Sequence, residues 1–305
     1  MHEGQVDVSV EAVTGAIAEQ VPELEGLPVE RVASRGTVVA PFRVGESFVA
    51  RVPFVPESDA SGRAGLQAEF DHALFLAGRL PIEVPRPIAI GEPFGGYEGL
   101  WSLWTWVWGT SLDRYTDPDQ GAPPETIEQD ALARDLAAVI AAFHALPTNG
   151  RIWNDAGRGG RPLADSDEVR EAIDAAKHLV DPAILTQLWE RALAASPHEG
   201  DAVYLHGDPM PGNLIVRDGR LSGLVDISKP VFGDPAADLQ PAWVVFDEPA
   251  RTVFRDALNP TDAQWERGRG WALQMAIMGL AYYEHTNPPF SRMAARTIQR
   301  IAATP

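Results

Sequence analysis

The sequence contains no cysteine, which rules out disulfides and thiolate metal sites. It holds only two lysines, Lys177 and Lys229, while 43 acidic residues bring the formal net charge to −18. Such an acidic chain is a poor partner for a nucleic-acid polyanion, whereas a cationic small molecule would be attracted to it. We therefore expect a small-molecule partner and no nucleic acid.

Long apolar runs are also missing. The most apolar stretches, 100–108 and 271–283, fall short of the roughly 20 residues needed to cross a bilayer. The first residues lack the basic start and apolar core of a signal peptide. These absences predict a soluble, cytoplasmic protein with no membrane partner. Hydrophobic residues still make up 45% of the 305, an ordinary share for a packed core.

The pattern of apolar residues changes along the chain. Short β-like runs punctuated by Gly36 and Gly45 dominate the first third, with one helical pattern at 66–80. Beyond a loop at 116–126 the chain is mostly helical by period and alanine content, interrupted by a β-rich insert at 203–228. This order predicts an α+β, two-lobed fold. Its small β-rich lobe would span residues 1–107, and its large, mostly helical lobe 108–305.

The insert carries the clearest chemical pattern, LHGDPMPGNLIV at 205–216 followed by VDISKP at 225–230. The spacing H-x-D-x4-N is that of a kinase catalytic loop, in which the Asp accepts the proton of the acceptor hydroxyl and the Asn binds Mg²⁺. It assigns Asp208 as the catalytic residue and Asn213 as a metal ligand. Asp226, after an apolar pair at a strand end, is the second oxygen ligand that Mg²⁺ favours. His206 is expected to be structural.

These residues resemble the aminoglycoside/macrolide phosphotransferase family, antibiotic kinases with a protein-kinase-like fold. The segments LHGDPMPGNLIV, LVDIS, GDPAADL and AAVIAAFHAL carry the resemblance, which covers nearly the whole chain. It implies Asp208 as the catalytic aspartate, Asn213 and Asp226 as Mg²⁺ ligands, and ATP or GTP as phosphoryl donor. In GDPAADL, Asp234 and Asp238 are expected to cap a helix and hold a loop rather than react.

The resemblance also implies a cation on the third strand of the small lobe, paired with a glutamate on its helix. Arg51 in FVARVP and Glu69 in LQAEFDH occupy these places, and no lysine precedes residue 108. Arginine is a planar fork rather than a point charge, so the two are not simply equivalent. Arg51 is therefore predicted to contact the phosphates and Glu69 to steady Arg51.

Two further segments of the small lobe are predicted to bind the nucleotide. The turn SRGT offers backbone N–H groups to the phosphates, although its single glycine is far from a full phosphate-binding motif. The residues assigned there are Ser34, Gly36 and Thr37. The segment 104–111 would be the hinge that reads the purine edge, with Trp106 and Trp108 as candidate contacts or, alternatively, ordinary core residues.

The acceptor is predicted from the apolar residues of the catalytic loop and the C-terminal helices. A macrolide needs a broad apolar wall, whereas a polycationic aminoglycoside needs carboxylates. Seven residues are assigned to this wall: Met210, Trp243, Phe246, Trp271, Met275, Met278 and Tyr282. Part of the 271–283 stripe must also be core, because it follows helical spacing. Acids at 247, 248, 266 and 284 would suit a polycation.

Four functions therefore stay open. A macrolide kinase acting on the 2'-hydroxyl of the desosamine sugar is favoured over an aminoglycoside kinase. A kinase of a small metabolite such as choline, homoserine or a sugar would share the same loop. A non-catalytic pseudokinase is disfavoured, because Asp208, Asn213 and Asp226 are all present. The choice between ATP and GTP is not readable from the sequence.

Overall fold

A computed structural model describes residues 6–33, 38–117, 126–155, 157–227 and 229–304. The predicted phosphate-loop residues Ser34, Gly36 and Thr37 lie outside the described residues. Contacts divide the chain into two compact units. Unit 1 comprises Met1–Gly78, Glu83–Trp108 and Leu224–Lys229. Unit 2 comprises Arg79–Ile82, Gly109–Gly223 and Pro230–Pro305.

The main break between the units falls between Trp108 and Gly109, one residue from the boundary expected after residue 107. Two short segments depart from that simple cut. Residues 79–82 group with unit 2, and 224–229, which include Asp226, group with unit 1. The N–H of Leu224 donates to the carbonyl of Glu83 at 2.9 Å, which ties this late segment to an early one. Asp226 therefore groups with unit 1 although it comes late in the chain.

Unit 1 is built on a five-stranded antiparallel sheet in the order β1-β2-β3-β5-β4. Its strands are β1 Val29–Arg31, β2 Val39–Val44, β3 Phe48–Pro53, β4 Pro87–Gly91 and β5 Trp101–Thr105. Alternate residues of β2 are buried, as expected for a strand with one face on a core. Helix α1 spans Val10–Gln20, helix α2 spans Ala60–Leu76, and a 3-10 turn covers Pro22–Leu24.

The helix predicted at 66–80 begins earlier and ends earlier than its apolar pattern indicated. Asp59 caps α2 by accepting from the N–H of Gly62 at 2.8 Å, and the helix stops at Leu76. Gly78 follows at φ +75°, a left-handed conformation that favours glycine. The helix therefore begins at Ala60, directly after the cap, and Gly78 lies just beyond its end.

Unit 2 is mostly helical. Its helices are α3 Asp113–Thr116, α4 Gln129–His144, α5 Asp167–Ala175, α6 Pro182–Leu193, α7 Pro241–Val244, α8 Glu248–Leu258, α9 Asp262–Leu280 and α10 Pro288–Ala302. Its remaining strands are β6 Thr110–Ser111, β7 Val203–Leu205, β8 Leu214–Arg217, β9 Arg220–Leu224 and β10 Val231–Gly233. Two 3-10 helices cover Pro211–Asn213 and Pro235–Leu239. Strand β7 pairs with β10, and β6-β8-β9 form a second small sheet.

Helix α9 runs through the core of unit 2 and packs against α5, α6, α10 and the 3-10 helix Pro235–Leu239. Most of its residues are buried, including Trp271 and Met275 at 3% exposure each. Trp243 and Phe246 are fully buried too, with their rings against Trp265 and Phe254 respectively. Trp271 and Met275 are core residues because a helix packed on several sides needs apolar residues all round. Trp243 on α7 and Phe246 just after it are core residues as well. Contact of these four with an acceptor stays a prediction.

No helix in the described ranges is long and apolar enough to cross a membrane.

Candidate active site

Strand β7 delivers the chain into the catalytic loop that contains Asp208. Gly207 adopts φ +80°, and a Cβ there would lie 3.1 Å from the carbonyl oxygen of Arg158. The N–H of Asp208 donates to Nδ1 of His206 at 3.1 Å, so the imidazole holds the loop, as expected for a structural histidine. The Asp208 carboxylate is 41% exposed. The loop thus presents this carboxylate outward on a constrained backbone.

Asp238 holds the same loop from behind. Its carboxylate, 0% exposed, accepts from the N–H of His206 at 3.1 Å and from the N–H of Gly207 at 2.8 Å. Nε2 of His144 lies 3.2 Å from the same carboxylate. A buried carboxylate is costly unless it is hydrogen-bonded. Asp238 is therefore a loop-holding residue, in line with the expectation for GDPAADL.

Asp234 has a related structural role at the start of the same segment. It accepts from the N–H of Ala236 at 3.0 Å and so caps the 3-10 helix Pro235–Leu239. Arg267 on α9 contacts both carboxylate oxygens of Asp234, at 2.6 Å and 3.1 Å, and both side chains are buried. This bidentate pair anchors the loop-holding segment to the central helix.

Asn213 and Asp226 offer the oxygen donors that suit Mg²⁺. Nδ2 of Asn213 donates to the carbonyl of Asp208 at 3.0 Å, which directs the amide oxygen away from that bond. Asp226 is exposed and lies at φ +60°, while the next residue, Ile227, is buried. In the described ranges no group of three or more His, Asp or Glu forms a metal cluster. Mg²⁺ prefers oxygen ligands and keeps several waters, and its binding by Asn213 and Asp226 stays a prediction.

Sequence reasoning missed Arg158, which forms an ion pair with the Asp208 carboxylate. Both residues line a surface pocket of about 340 Å³ together with Gly157, His206, Gly207 and Val231. The only signal in the sequence is the run GRGG at 157–160, in which glycines flank the arginine. Such a run is ordinarily interpreted as a loop, so only the fold brings Arg158 to Asp208.

In unit 1, Arg51 on β3 and Glu69 on α2 form the predicted ion pair, with side chains 25% and 14% exposed. The Arg51 guanidinium also lies 5.6 Å from the centre of the Trp104 ring. Burial and a ring face leave the guanidinium few alternative orientations. The pair is present as expected, and its contact with phosphates stays a prediction.

The predicted hinge tryptophans share one partner. The guanidinium of Arg43 lies 5.1 Å from the Trp106 ring centre and 4.8 Å from that of Trp108. The backbone N–H of Trp106 donates to the carbonyl of Ser47 at 2.7 Å, so this N–H already has an acceptor. Trp108 is 41% exposed. Purine recognition by this segment remains a prediction.

Of the predicted acceptor wall, Met278 and Tyr282 are exposed, at 39% and 63%, while Met210 is buried at 8%. Tyr282 packs edge-on against Tyr283, with ring centres 4.8 Å apart. Burial raises the pKa of Tyr283, the field of Asp208 adds to the rise, and Arg158 opposes it. Contact of this segment with an acceptor stays a prediction.

Structures similar in fold include aminoglycoside phosphotransferases and macrolide phosphotransferases. The GDP complex of wild-type aminoglycoside 2'-phosphotransferase-IIIa aligns with a TM-score of 0.65 at 17% identity, covering 95% of this chain and 97% of that one. Macrolide 2'-phosphotransferase type I aligns with a TM-score of 0.62 at 20% identity, covering 96% and 99%. The macrolide 2'-phosphotransferase MphH from Brachybacterium faecium gives 0.60 at 22%, covering 95% and 97%. At these identities the likeness confirms the predicted protein-kinase-like fold.

No curated protein sequence matches the chain closely enough to count as a relative. The profile of the phosphotransferase enzyme family, APH, matches residues 37–271, which is more than half of the chain. The matched range contains the catalytic loop, the Arg51–Glu69 pair and the segment that holds the loop. The predicted phosphotransferase class is thereby confirmed, and the chain belongs to the APH phosphotransferase enzyme family.

Proposed function

We propose that this protein is a cytoplasmic antibiotic kinase that transfers the γ-phosphoryl group of ATP or GTP to a hydroxyl of a small molecule. The favoured acceptor is the 2'-hydroxyl of the desosamine sugar of a macrolide. The observation that supports the reaction is the Asp208 carboxylate, presented outward by a loop that Asp238 and His206 hold in place. A general base must reach the proton it removes, and a fixed, exposed carboxylate meets that need.

In the proposed reaction the acceptor oxygen attacks the γ-phosphorus of the nucleotide. A new O–P bond forms while the bridging bond between the β- and γ-phosphates breaks, and the nucleoside diphosphate leaves with the electron pair. The hydroxyl proton passes to the Asp208 carboxylate. Mg²⁺, when bound, neutralises phosphate charge, and Asn213 and Asp226 are the residues proposed to hold it. Arg51, steadied by Glu69, is proposed to contact the phosphates.

The macrolide is favoured by the side chains around Asp208. Arg158 places a cation directly on the catalytic carboxylate, where an aminoglycoside would bring further ammonium groups. Tyr282 and Tyr283 offer aromatic surface on the segment that follows α9, and Phe290 packs on Tyr283 with ring centres 4.7 Å apart. Aromatic surface suits the apolar ring of a macrolide. One carboxylate, Glu284, remains on this segment for the single amine of desosamine, although it is paired with His178.

The test is a product assay with one representative of each class. Erythromycin and kanamycin would be incubated separately with the protein, Mg²⁺ and either ATP or GTP, and the products weighed by mass spectrometry. We expect one added phosphoryl group on erythromycin, formed about 10²–10⁴-fold more slowly when Asp208 is replaced by alanine. Phosphate on kanamycin alone would overturn the macrolide assignment and keep the kinase. Phosphate on neither would shift the proposal towards a kinase of small metabolites.

A further inference from the structure

Arg158 sits at a position that stability alone does not explain. It pairs with Asp208, and the two side chains are 32% and 41% exposed at the wall of a pocket open to solvent. Ion pairs this exposed contribute little to folding. A cation held on a general base also competes with the proton that the base must receive. A role in the reaction would account for both features.

The backbone on either side of Arg158 is packed too closely for the placement to be incidental. A Cβ on Gly159 would lie 2.5 Å from the Cβ of Ala237, and a Cβ on Gly233 would lie 1.8 Å from the carbonyl oxygen of Gly159. Gly157 and Gly159 both adopt positive φ, +55° and +88°. Only glycine fits such close approaches without a shift of the backbone. The loop around Arg158 therefore packs closely against the GDPAADL segment, which in turn holds the catalytic loop.

Hydrogen bonds fix the same loop. The side chain of Asn154 donates to the carbonyl of Pro230 at 3.0 Å and accepts from the N–H of Phe232 at 3.2 Å. The N–H of Asp234 donates to the carbonyl of Gly159 at 3.0 Å. These bonds attach the loop to β10 and to the GDPAADL segment. The guanidinium of Arg158 is thus presented by a fixed backbone.

The catalytic loop lacks a cation of its own, since residues 206–213 contain neither lysine nor arginine. Phosphoryl transfer places negative charge on the three non-bridging oxygens of the migrating group, and an arginine that binds them is a large contribution to catalysis. Only NH1 of Arg158 is engaged, with Asp208, and no other acceptor in the described ranges binds this side chain. Its other N–H groups can therefore donate to phosphate oxygens without breaking an existing bond.

We propose that Arg158 is a catalytic residue that binds the γ-phosphoryl group, and that Asp208 holds its guanidinium ready for that contact. This inference rests on the proposed function. In the transfer, the guanidinium donates hydrogen bonds to the non-bridging oxygens of the γ-phosphate while the acceptor oxygen forms its bond to phosphorus and the bond to the β-phosphate breaks. The guanidinium itself exchanges no proton. Arg158 therefore distinguishes a nucleoside triphosphate from a diphosphate.

The experiment measures nucleotide binding as well as turnover. Titration calorimetry with Mg²⁺ would compare ADP with an ATP analogue whose β–γ bridge cannot be hydrolysed. For Arg158→Ala we expect the Kd of the analogue to rise about tenfold, as for the loss of a charge-assisted hydrogen bond, and the Kd of ADP to stay unchanged. The kcat should fall by about 10²–10³-fold. Arg158→Lys should retain part of the preference for the analogue.

Arg161 supplies the matched control, because it is an exposed arginine in the same loop. Arg161→Ala should leave both Kd values and kcat unchanged. Asp208→Asn keeps an amide oxygen that can accept from the guanidinium, so this variant should retain the preference for the analogue over ADP, and Arg158→Ala in that background should abolish the preference. This second comparison needs no turnover.

The outcomes separate the two proposals. If the wild type binds and transfers phosphate but Arg158→Ala keeps its preference for the analogue over ADP, the inference fails and the kinase stands. Equal weakening of ADP and the analogue would likewise overturn it, since that pattern reports a general disturbance of the site. If the wild type binds neither nucleotide, the inference and the proposed function fall together.

Discussion

Asp208 combines a held backbone with an exposed side chain. Its N–H donates to His206, and its carbonyl accepts from the side chain of Asn213 and from the N–H of Met210 at 2.7 Å. The carboxylate remains available at the pocket, paired with Arg158. At the scale of a residue, reactivity here depends on how completely the rest of the residue is immobilised.

Replacement of Asp208 by alanine tests its role as the base. We expect kcat to fall by about 10²–10⁴-fold, the range for loss of a general base, while the Kd for nucleotide changes only a few-fold. Steady-state kinetics and calorimetry on the same preparation would measure both. Asp201→Ala, at an exposed acidic residue before β7, is the control and should behave as wild type. Near-normal turnover by the Asp208 variant would exclude the proposed mechanism.

The Arg51–Glu69 pair is testable by a double-mutant cycle. Arg51→Ala should raise the nucleotide KM several-fold or more, and adding Glu69→Ala should change it little further, because the two groups act together. The exposed pair of Arg63 and Glu92, 2.5 Å apart in the same unit, is the matched control and should leave KM unchanged. Additive effects in the first cycle would indicate that Arg51 is an ordinary strand residue that does not act together with Glu69.

At the scale of elements, the site is an assembly of short pieces rather than long ones. The catalytic loop follows a three-residue strand, β7, and is held by a five-residue 3-10 helix, Pro235–Leu239. The long helix α9 contributes through Arg267, which binds Asp234 at the start of that 3-10 helix. Short elements have little stability of their own, so their geometry depends on these side-chain bonds.

Removal of the Asp238 carboxylate should therefore damage both stability and turnover. Asp238→Ala would leave the buried N–H of Gly207 and that of His206 without their acceptor, and each such loss costs about 1–3 kcal/mol. We expect a fall of about 3 kcal/mol in the free energy of unfolding, measured in urea, together with a lower kcat. Asp247 caps α8 through the N–H of Ala250 at 3.0 Å. Asp247→Ala should cost about 1 kcal/mol and leave kcat alone; equal kcat values in the two variants would contradict the loop-holding role.

At the scale of the whole molecule, each of the two units contains residues proposed to bind the nucleotide or the metal. Arg51, Glu69 and Asp226 belong to unit 1, whereas Asp208 and Asn213 belong to unit 2. A ligand that binds the folded chain stabilises it in proportion to the logarithm of its concentration over Kd. Thermal stability in the presence of Mg²⁺ and nucleotide is therefore a measurement of ligand binding.

Asp226→Asn should abolish the increase in Tm that Mg²⁺ and nucleotide produce together. The apo protein should stay within about 1 kcal/mol of the wild type, because an exposed carboxylate loses little when it becomes an amide. Differential scanning fluorimetry with and without EDTA would separate the metal-dependent part. An unchanged Mg²⁺-dependent shift would show that Asp226 is not a ligand.

The alkaline limit of stability provides a test in unit 1. Burial raises the pKa of Tyr97 to about 12, and the Glu57 carboxylate adds to the rise. Its hydroxyl donates to the carbonyl of Pro53 at 2.9 Å. Because the folded pKa lies above the unfolded value of about 10, the unfolded chain releases its proton first. The contribution is complete below about pH 10 and is lost as the pH rises towards 12.

Urea unfolding between pH 9 and 12 would measure this loss. We expect the free energy of unfolding of the wild type to fall more steeply with pH than that of Tyr97→Phe, which has no phenol to ionise at this position. The Phe variant should be the less stable of the two at pH 8, because Pro53 loses its donor. Parallel curves for the two proteins would contradict the raised pKa.

The amino-acid sequence by itself determined the fold class. Its spacing also predicted Asp208 and Asn213 on one short segment, although the conformation of that segment depends on bonds to the distant Asp238. The Arg51–Glu69 ion pair was expected from the family resemblance and is present in the structure, while its contact with phosphates stays a prediction. A motif within one short segment predicts which of its residues lie close together.

Only the tertiary structure decided which distant residues meet. Arg158 reaches Asp208 because glycines allow two loops to approach closely, and a gap of 50 positions along the chain gives no hint of this. Trp243 and Trp271 were assigned to the acceptor wall, yet both are core. Apolar spacing predicts that a side chain is removed from water. The packing of the folded chain decides whether that side chain contacts a ligand or other parts of the protein.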